Sequence, residues 1–528
     1  MGLVAVPGRR RVTVADPLDQ IALARRQHWV NQVARHAVER GDLVALTFRG
    51  APTTWAELQA RVVALSGALA RRGVGAGDRV AILMGNRPEY VELLVAVNRL
   101  DAIAVPLNFR LSAGEVAYVL EDCGAALLFV DEGTAQVAVE AAAQSSLPVT
   151  VLDGPAYDGL LLEVGEPAPD VDVAEDSPAL IMYTSGTTGR PKGAVLTHRN
   201  LASQSATLLM AFGFRLDGEV NLCASPLFHI GAIGSVAPAL MVGATIAVLP
   251  TGAFDAAEVL DLMARERVTS VFLVPTQWQA LCDEQERSPR DLADLRVTGW
   301  GAAPATDTLL RTMAEVFVGS SNVALFGQTE MSPVTCVLEG KDALRKLGSV
   351  GKPVPAVQAR VVGPDMVDVA AGEVGEIVYR GPGTMLGYWR NPGATAEAFA
   401  GGWFHSGDLV RVDDEGFVYV VDRAKDMIIS GGENIYCAEV ENVLAGHPGI
   451  AEVSVIGRPH ERWGETPVAV VVPRDGAELE LDGVREWASG HLARYKLPTV
   501  LEVVTELPRN ASGKVTKGAL REWYGAAS

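Results

Sequence analysis

The sequence predicts an α/β fold: a large N-terminal part of doubly wound sheets with a small β-barrel-like subdomain, then a small α+β C-terminal domain. First, strand-like apolar runs alternate with helical patterns through about the first 330 of the 528 residues. Second, short strands separated by turn residues replace this alternation from about Gly351. Third, a block of about 100 residues with its own apolar pattern follows Asp422.

The N-terminal part alternates strands and helices along the chain. Strand-like runs occupy residues 80–84, 103–107, 125–130, 271–274 and 323–326, and residues 88–100 have a helical pattern. Strands separated by helices need crossover connections, which are right-handed and build parallel, doubly wound sheets.

One segment of this part has the length of a membrane span. No Asp, Glu, Lys or Arg occurs between Glu219 and Asp255, and residues 230–250 alone match a spanning helix in length. Pro238 and three glycines interrupt that run, and residues 245–250 have the pattern of a buried parallel strand. The segment therefore predicts a core helix followed by a core strand.

The remaining chain divides into two parts. Runs at 357–362, 375–380 and 416–421 predict the small β-rich subdomain at about residues 351–421, and runs at 453–456, 468–472 and 500–504 belong to the last block. We place an N-terminal domain at residues 1–422, a C-terminal domain at residues 423–528 and a hinge at residues 422–426.

Composition and charge exclude several classes of protein. Apolar residues make up 48% of the chain and charged residues 21%, which is typical of a globular protein. The net charge of −19 argues against a dedicated nucleic-acid binder, which needs a basic face. The five cysteines are far apart and form no CxxC pair, which indicates neither a disulfide framework nor a zinc site. Together with the lack of a signal-peptide pattern, this predicts a cytoplasmic enzyme without a transmembrane segment.

The most informative segment is Tyr183-Thr-Ser-Gly-Thr-Thr-Gly-Arg-Pro-Lys-Gly193, which follows a strand-like run. Its glycines allow a tight turn that presents backbone N–H groups, four hydroxyl side chains add donors, and Lys192 supplies a positive charge. These groups can wrap the outer phosphates of a nucleotide. The spacing is not that of a Walker A loop.

This loop resembles the signature loop of the adenylate-forming superfamily, which includes acyl-CoA synthetases, aryl-CoA ligases, luciferases and peptide-synthetase adenylation domains. Further segments resemble motifs of that superfamily in the same order, over most of the chain from about Thr54 to Arg521. They are Gly301-Ala-Ala-Pro304, Phe326-Gly-Gln-Thr-Glu330, Trp403-Phe-His-Ser-Gly-Asp-Leu409, Asp422-Arg-Ala-Lys-Asp426, Ser430-Gly-Gly-Glu-Asn-Ile-Tyr436 and Pro508-Arg-Asn-Ala-Ser-Gly-Lys514.

The resemblance implies a reaction in two steps: a carboxylate displaces pyrophosphate from ATP to give an acyl-adenylate, and a thiol then displaces AMP. It implies Mg²⁺ as cofactor, with Glu330 and Thr188 as its ligands, and ATP and CoA as co-substrates. The residues that it assigns to ATP and AMP are Thr184, Ser185, Gly186, Thr187, Thr188, Gly189, Lys192, Gly301, Ala302, Ala303, Pro304, Phe326, Gly327, Gln328, Thr329, Asp408, Arg423 and Lys514.

The implied catalytic residues are Lys514, Thr188 and Glu330, with Lys514 bridging the carboxylate and the α-phosphate. The C-terminal domain is implied to rotate as a mobile lid about a hinge at Lys425. That rotation withdraws Lys514 and brings the CoA tunnel residues, Ser430, Gly431 and Gly432, to the active site. A plain hairpin turn accounts equally well for the paired glycines. Lys517, close to Lys514, is expected to be an ordinary exposed tail lysine.

Four side chains are assigned by resemblance and apolar context to the acyl pocket, namely His229, Trp278, Trp300 and Met331. For His229 the alternative is a satisfied core histidine, and for the two tryptophans it is a plain core position. A pocket with an apolar lining favours a fatty or aryl acid.

The leading hypothesis is an ATP-dependent fatty-acid–CoA ligase for a medium- or long-chain acid, and thus a role in lipid metabolism. The motifs look most like those of actinobacterial fatty-acyl-CoA synthetases. The alternatives are an aryl-CoA ligase of the hydroxycinnamate or benzoate type, an acyl-AMP ligase that loads a carrier protein, and a noncatalytic nucleotide-binding protein. The expected partners are a small carboxylic acid, ATP and CoA, without nucleic acid. A monomer and a homodimer both stay open, as does peripheral association with a membrane surface.

Overall fold

A computed structural model describes residues 26–145, 150–163, 165, 168, 172–184, 190–303, 305–431, 433–509 and 515–525. Within this part the chain forms four sheets and fifteen α-helices. The helices α1–α15 are, in chain order, Trp29–Glu39, Trp55–Arg71, Pro88–Asn98, Ala113–Cys123, Ala135–Gln144, Gly154–Leu162, His198–Phe212, Ile230–Val242, Ala256–Arg265, Pro275–Arg287, Asp307–Val316, Pro392–Ala398, Cys437–Ala445, Leu481–Ser489 and Lys517–Tyr524.

The largest sheet has nine strands, and its middle strands are parallel. Across the sheet they are β15 (Lys352–Pro353), β14 (Val334–Leu338), β13 (Ser321–Gly327), β12 (Val297–Gly301), β11 (Ser270–Leu273), β9 (Val220–Cys223), β10 (Thr245–Val248), β1 (Val44–Phe48) and β2 (Ala51–Thr54).

The second sheet has seven strands and includes one antiparallel hairpin, formed by Pro178–Thr184 and Lys192–Thr197. Across the sheet they are β18 (Gly387–Tyr388), β8 (Lys192–Thr197), β7 (Pro178–Thr184), β4 (Ile103–Pro106), β3 (Arg79–Leu83), β5 (Leu127–Val130) and β6 (Thr150–Leu152).

Helices cover both faces of these two sheets. One large core joins the facing surfaces of the sheets through helices that include α2, α3 and α8. A second core packs α9, α10 and α11 against the outer face of the nine-stranded sheet, and a third packs α4 and α5 against the outer face of the other. This is the doubly wound α/β architecture that the sequence predicts.

The two smaller sheets follow in the chain. An antiparallel sheet of four strands has the order β16 (Gln358–Val362), β17 (Gly375–Arg380), β19 (Phe404–Val412) and β20 (Val418–Arg423). The C-terminal sheet has its own core with α13 and α14 and contains β22 (Glu433–Ile435), β21 (Ile428–Ser430), β24 (Gly464–Pro473), β23 (Ile450–His460) and β25 (Val500–Val503).

The uncharged segment folds as predicted, because α8 ends at Val242 and β10 follows at Thr245. Within the described residues, no helix combines the length and the apolar character needed to cross a bilayer. Strand β20 continues to Arg423, so the predicted hinge begins at the end of a strand. The domain boundary itself stays a prediction.

Local signals in the sequence explain where α4 begins and ends. Ser112 and Glu115 form a capping box, in which each side chain accepts the other's backbone N–H. Gly124 ends the helix with a φ of 70°, in the left-handed region that suits glycine.

All five cysteines are buried and unpaired as thiols: Cys123, Cys223, Cys282, Cys336 and Cys437. Burial raises the pKa of Cys123 to about 11. It raises the pKa of the other four to about 12. None of these thiols is therefore a reactive nucleophile at neutral pH.

Candidate active site

Several predicted site residues lie outside the described residues. They are Ser185, Gly186, Thr187, Thr188 and Gly189 of the phosphate loop, Pro304, Gly432 and the predicted catalytic lysine, Lys514. The roles of these eight residues stay predictions.

The β7–β8 hairpin brackets the phosphate loop. Thr184, the last residue of β7, lies opposite Lys192, the first residue of β8. The Thr184 hydroxyl donates to the Lys192 carbonyl oxygen at 3.5 Å. The two ends of the loop are thus held together, and the ammonium that sequence reasoning assigned to phosphate lies at the hairpin tip.

Helix α4 supports this hairpin from one side. The Tyr118 hydroxyl donates to the Pro191 carbonyl oxygen at 3.2 Å, and the Arg190 guanidinium lies 5.3 Å from the centroid of the Tyr118 ring. On the other stem, the Tyr183 hydroxyl donates to the Asp122 carboxylate at 2.5 Å. Both stems of the loop are therefore fixed to one helix.

Glu330 lies next to the hairpin tip, on the short 3₁₀ helix Thr329–Met331. Its side chain is buried, and its Oε1 atom accepts hydrogen bonds from the Thr184 hydroxyl at 3.4 Å and the Tyr388 hydroxyl at 3.0 Å. The Tyr388 ring centroid also lies 5.3 Å from the Lys192 Nζ atom.

Tyr388 is a site residue that sequence reasoning missed. It lies about 200 residues from Lys192 in the chain, and its strand β18 reaches the site by pairing with β8. Burial, followed by the adjacent Glu330 charge, raises the pKa of Tyr388, so its hydroxyl remains a proton donor at neutral pH.

The surroundings of Glu330 fit a hard cation. Its carboxylate is buried and accepts hydrogen bonds from the neutral hydroxyl groups of Thr184 and Tyr388, so its negative charge is available to a metal ion. Carboxylate oxygen is the ligand that Mg²⁺ prefers. Glu330 would hold the ion, which when bound neutralises charge on the nucleotide phosphates.

The predicted adenine segment begins where β12 ends. A Cβ atom on Gly301 would lie 2.2 Å from the Leu325 carbonyl oxygen of β13, so only glycine fits there without moving the backbone. Ala302 follows with a φ of 63°, which is strained for a residue with a side chain, and both Ala302 and Ala303 are exposed. Half-buried Phe326 lies on the adjacent strand, as stacking against a base requires.

The turn after Phe326 also depends on a glycine. A Cβ atom on Gly327 would lie 1.9 Å from the Pro333 carbonyl oxygen, which accepts the backbone N–H of Gln328 at 2.8 Å. This close approach brings Thr329 and Glu330 back over the end of the sheet.

Asp408 and Arg423 form an ion pair across β19 and β20, with 2.7 Å between Arg423 Nε and Asp408 Oδ1. Asp408 is buried, whereas the Arg423 side chain is 45% exposed. The charge of Asp408 also contributes to the raised pKa of buried Cys336, which lies opposite Phe326 on β14. The predicted ribose carboxylate therefore lies close to the predicted adenine strand.

Aromatic side chains adjoin Gly301 on one face of β12. His229 is the N-cap of α8, and its Nδ1 atom accepts the Gly231 N–H at 3.1 Å. A Cβ atom on Gly231 would lie 3.2 Å from His229 Nδ1 and 3.8 Å from the Phe272 ring. Phe272 is only half-buried although its strand is interior, so part of its ring faces open space.

Two glycines of β12 lie against aromatic rings. A Cβ atom on Gly301 would lie 3.2 Å from the Phe272 ring, and one on Gly299 would lie 2.8 Å from the Phe212 ring. Phe212 is 3% exposed and packs with Val297 and Val323. The Phe272 and Phe212 rings therefore pack over the two glycines of β12.

Three further residues that were predicted to line the acyl pocket lie in packed cores. Trp278 is fully buried in the core on the outer face of the nine-stranded sheet, where its indole N–H donates to the Gly299 carbonyl oxygen at 2.8 Å. Trp300 points to that same face, because side chains alternate along β12, and Met331 is fully buried in the central core. The acyl-pocket roles of all four residues stay predictions, and Phe272 and Phe212 are further candidates.

The C-terminal segments hold the remaining predicted residues. Lys425 is exposed in the turn after β20, and Ser430 ends β21. Gly431 has a φ of 60°, and its N–H donates to the Trp463 carbonyl oxygen at 2.7 Å. Their roles in the hinge and the CoA tunnel stay predictions.

Lys517 is not the exposed tail lysine that was expected. Its side chain is 18% exposed, and its Nζ atom lies 2.8 Å from Glu441 Oε1. One turn later on α15, Arg521 pairs with Asp426 of the predicted hinge at 2.8 Å.

Comparisons with known proteins place this chain in a family. The family model described as "AMP-binding enzyme" matches residues 33–389, and that of the "AMP-binding enzyme C-terminal domain" matches residues 439–514. A feruloyl-CoA synthase of Amycolatopsis sp is 44% identical over 482 residues, which are 91% of this chain and 96% of that protein. A long-chain-fatty-acid–CoA ligase of Mycobacterium tuberculosis is 38% identical over 480 residues, which are 90% of this chain and 93% of that protein.

A solved structure agrees with these matches. The o-succinylbenzoate CoA synthetase of Bacillus subtilis, in complex with its acyl-adenylate intermediate, superposes with a TM-score of 0.84 at 33% identity. The match covers 94% of this chain and 98% of that structure. With both family models and the whole fold in agreement, the chain belongs to the AMP-binding enzymes, the adenylate-forming superfamily that its motifs resemble.

Proposed function

We propose that this enzyme is an ATP-dependent CoA ligase for an aryl carboxylic acid of the hydroxycinnamate type. In the first step a carboxylate oxygen attacks the α-phosphorus of ATP, and pyrophosphate leaves as the acyl–AMP bond forms. In the second step the CoA sulfur attacks the acyl carbon, AMP leaves, and the thiol proton is released. The similarity to the feruloyl-CoA synthase supports the class of acid and the acceptor.

The described residues support the first step. Lys192 lies at the base of the phosphate loop, Glu330 offers a buried carboxylate to Mg²⁺, and Asp408 lies near the adenine strand. A protein that transfers a nucleotidyl group needs mainly to position the reactants and to neutralise charge. These three groups supply that chemistry.

The aromatic side chains packed along β12 are the observation that carries the aryl assignment. Phe272 lies beside Gly301, and the Phe212 ring packs on Gly299, two residues further back along the same strand. Two residues of a strand span about 7 Å, which is enough for a ring with a short spacer. We infer an acyl site that begins at Gly301 and ends at Phe212. A medium or long alkyl chain would have to continue past Phe212, so this inference favours the aryl acid over the fatty acid of the leading sequence hypothesis.

A panel of acids tests the proposal. CoA-dependent release of AMP is measured with ferulate, benzoate, acetate, octanoate and palmitate, together with carboxylate-dependent exchange of pyrophosphate into ATP. We expect ferulate to give the highest kcat/KM. Preference for palmitate would overturn the aryl assignment, and acyl transfer to a carrier protein but not to CoA would overturn the acceptor.

Phe212→Ala tests whether this ring ends the acyl site. Removing the ring would lengthen the inferred site, so the ratio of kcat/KM for octanoate to that for ferulate should rise about tenfold or more. Phe317→Ala is the matched control, because Phe317 is a buried phenylalanine that packs against Trp278 on the opposite face of the sheet. An equal change of the ratio in both variants would contradict a specific role for Phe212.

A further inference from the structure

Tyr388 lies between two opposite charges of the site. Its ring centroid is 5.3 Å from the Lys192 Nζ atom, and its hydroxyl donates to Glu330 Oε1 at 3.0 Å. Each contact is favourable by itself, since a cation is attracted to an aromatic face and a carboxylate to a hydroxyl donor.

The position of this ring is fixed by backbone contacts. Tyr388 lies opposite Ala194 in the β18–β8 pairing, and its own N–H donates to the Thr395 hydroxyl at 2.9 Å. The backbone N–H of the next residue, Trp389, donates to the Gly193 carbonyl oxygen at 2.7 Å. The ring is therefore held against the strand that begins with Lys192.

Without this ring, Lys192 and Glu330 would be free to pair with each other. No ion pair joins them among the residues that the structure describes, although both contact Tyr388. A direct pair in this half-buried place would be favourable, because attraction between opposite charges strengthens away from water. Such a pair would also occupy the Lys192 ammonium, which is expected to bind phosphate, and the Glu330 carboxylate, which is expected to bind Mg²⁺.

We propose that Tyr388 is a positioning residue that keeps Lys192 and Glu330 apart, so that the first remains available to the nucleotide phosphates and the second to Mg²⁺. This inference rests on the proposed function for its ATP chemistry but not for the identity of the acid. The ring provides the separation, and the hydroxyl orients the carboxylate.

Binding of ATP, measured by calorimetry on the full chain with Mg²⁺ and with EDTA, separates these two roles. Tyr388→Phe keeps the ring, so the Kd in EDTA should stay unchanged while the Kd with Mg²⁺ weakens about three- to tenfold. Tyr388→Ala removes the ring, so the Kd should weaken about tenfold or more under both conditions.

A double variant tests the separation itself. If Lys192 pairs with Glu330 in Tyr388→Ala, then adding Glu330→Gln frees the ammonium, and ATP binding in EDTA should recover to within about threefold of the wild type. Binding in the double variant that stays as weak as in Tyr388→Ala would overturn the proposal. An unchanged Mg²⁺ dependence in Tyr388→Phe would overturn the part assigned to the hydroxyl.

Tyr157→Phe is the matched control, because Tyr157 is another buried phenol that donates to a glutamate, Glu92, away from the site. It should leave ATP binding unchanged under both conditions. These affinities are measured without any acid. Should the panel of acids reject aryl substrates while the affinities change as expected, the acid assignment fails and the role of Tyr388 stands.

Discussion

Asp408 shows how a single buried carboxylate can serve a nucleotide site. The strand pairing places it opposite Arg423, whose guanidinium provides the counter-charge at 2.7 Å and reaches solvent at the other end. A carboxylate held in this way accepts hydrogen bonds from neighbouring hydroxyl groups such as those of a ribose.

We predict that Asp408→Asn weakens ATP binding about ten- to a hundredfold. A hydrogen bond to a charged acceptor contributes about 1.5–3 kcal/mol, roughly twice one to a neutral acceptor, and a ribose offers two hydroxyl donors. Calorimetric titration with ATP measures this. Asp413→Asn removes another carboxylate with a cationic partner, Lys346, and should leave the affinity unchanged. Equal affinities in the wild type and Asp408→Asn would rule out the ribose role.

At the scale of elements, α4 acts as a support for the phosphate loop. Its Tyr118 side chain contacts the stem at Pro191, and its Asp122 side chain contacts the stem at Tyr183. The ends of α4 are themselves fixed by the capping box and by Gly124. A loop whose two stems contact one rigid helix loses less conformational freedom when it binds phosphate.

We predict that Tyr118→Phe raises the KM for ATP in pyrophosphate exchange about two- to tenfold, because one hydrogen bond to the Pro191 carbonyl oxygen is lost. Acyl transfer from preformed acyl-AMP to CoA should keep its rate, since that step does not use the outer phosphates. Tyr419→Phe, which loses a hydrogen bond to Asp413, serves as the control. An equal loss in both half-reactions would point to a general structural defect.

The elements of this fold were more predictable than the neighbours of its site. The helix and strand within residues 230–250 follow from local breakers and apolar pattern, and the motif residues Thr184, Lys192 and Glu330 do come together. Tyr388 was missed because only long-range strand pairing brings it to the site. The face of the sheet on which Trp278 lies was not predictable, because both faces of an interior parallel strand are buried and composition does not distinguish them.

Lys517 shows that local sequence also does not predict whether a charged side chain is buried. A lysine near a chain end is usually solvated, yet here α15 packs against the C-terminal sheet and brings Lys517 to Glu441. The partner is 76 residues away in sequence, so no local pattern indicates it.

For the molecule as a whole, two buried histidines make stability depend on pH. His28 and His198 have ring centroids 5.1 Å apart between α1 and α7. Burial, with the nearby Arg26 charge, lowers the pKa of His28 to about 4, and burial, with His28, lowers the pKa of His198 to about 3. In the unfolded chain these histidines bind protons once the pH falls below their ordinary pKa of 6.5, whereas in the folded chain they stay neutral until a lower pH. The free energy of unfolding therefore falls as the pH falls from 6.5 toward 4.

We predict that His28→Asn reduces the loss of unfolding free energy between pH 6.5 and pH 4 by about 3 kcal/mol, because asparagine does not titrate. It can still cap α1 in place of the His28 ring, which accepts the Asn31 N–H. Urea unfolding at several pH values measures the effect, and His491→Asn at an exposed position is the control. Parallel pH profiles for wild type and His28→Asn would contradict the prediction.

The five buried thiols have a consequence for an enzyme that handles activated acyl groups. Acyl-adenylates and thioesters acylate any accessible thiolate, and the enzyme's own cysteines are the targets at the highest local concentration. With pKa values of about 11 and 12, fewer than about one in a thousand of these thiols is ionised at neutral pH, and none is exposed. The protein is thereby shielded from self-acylation, and CoA encounters no competing sulfur nucleophile on the polypeptide that serves it.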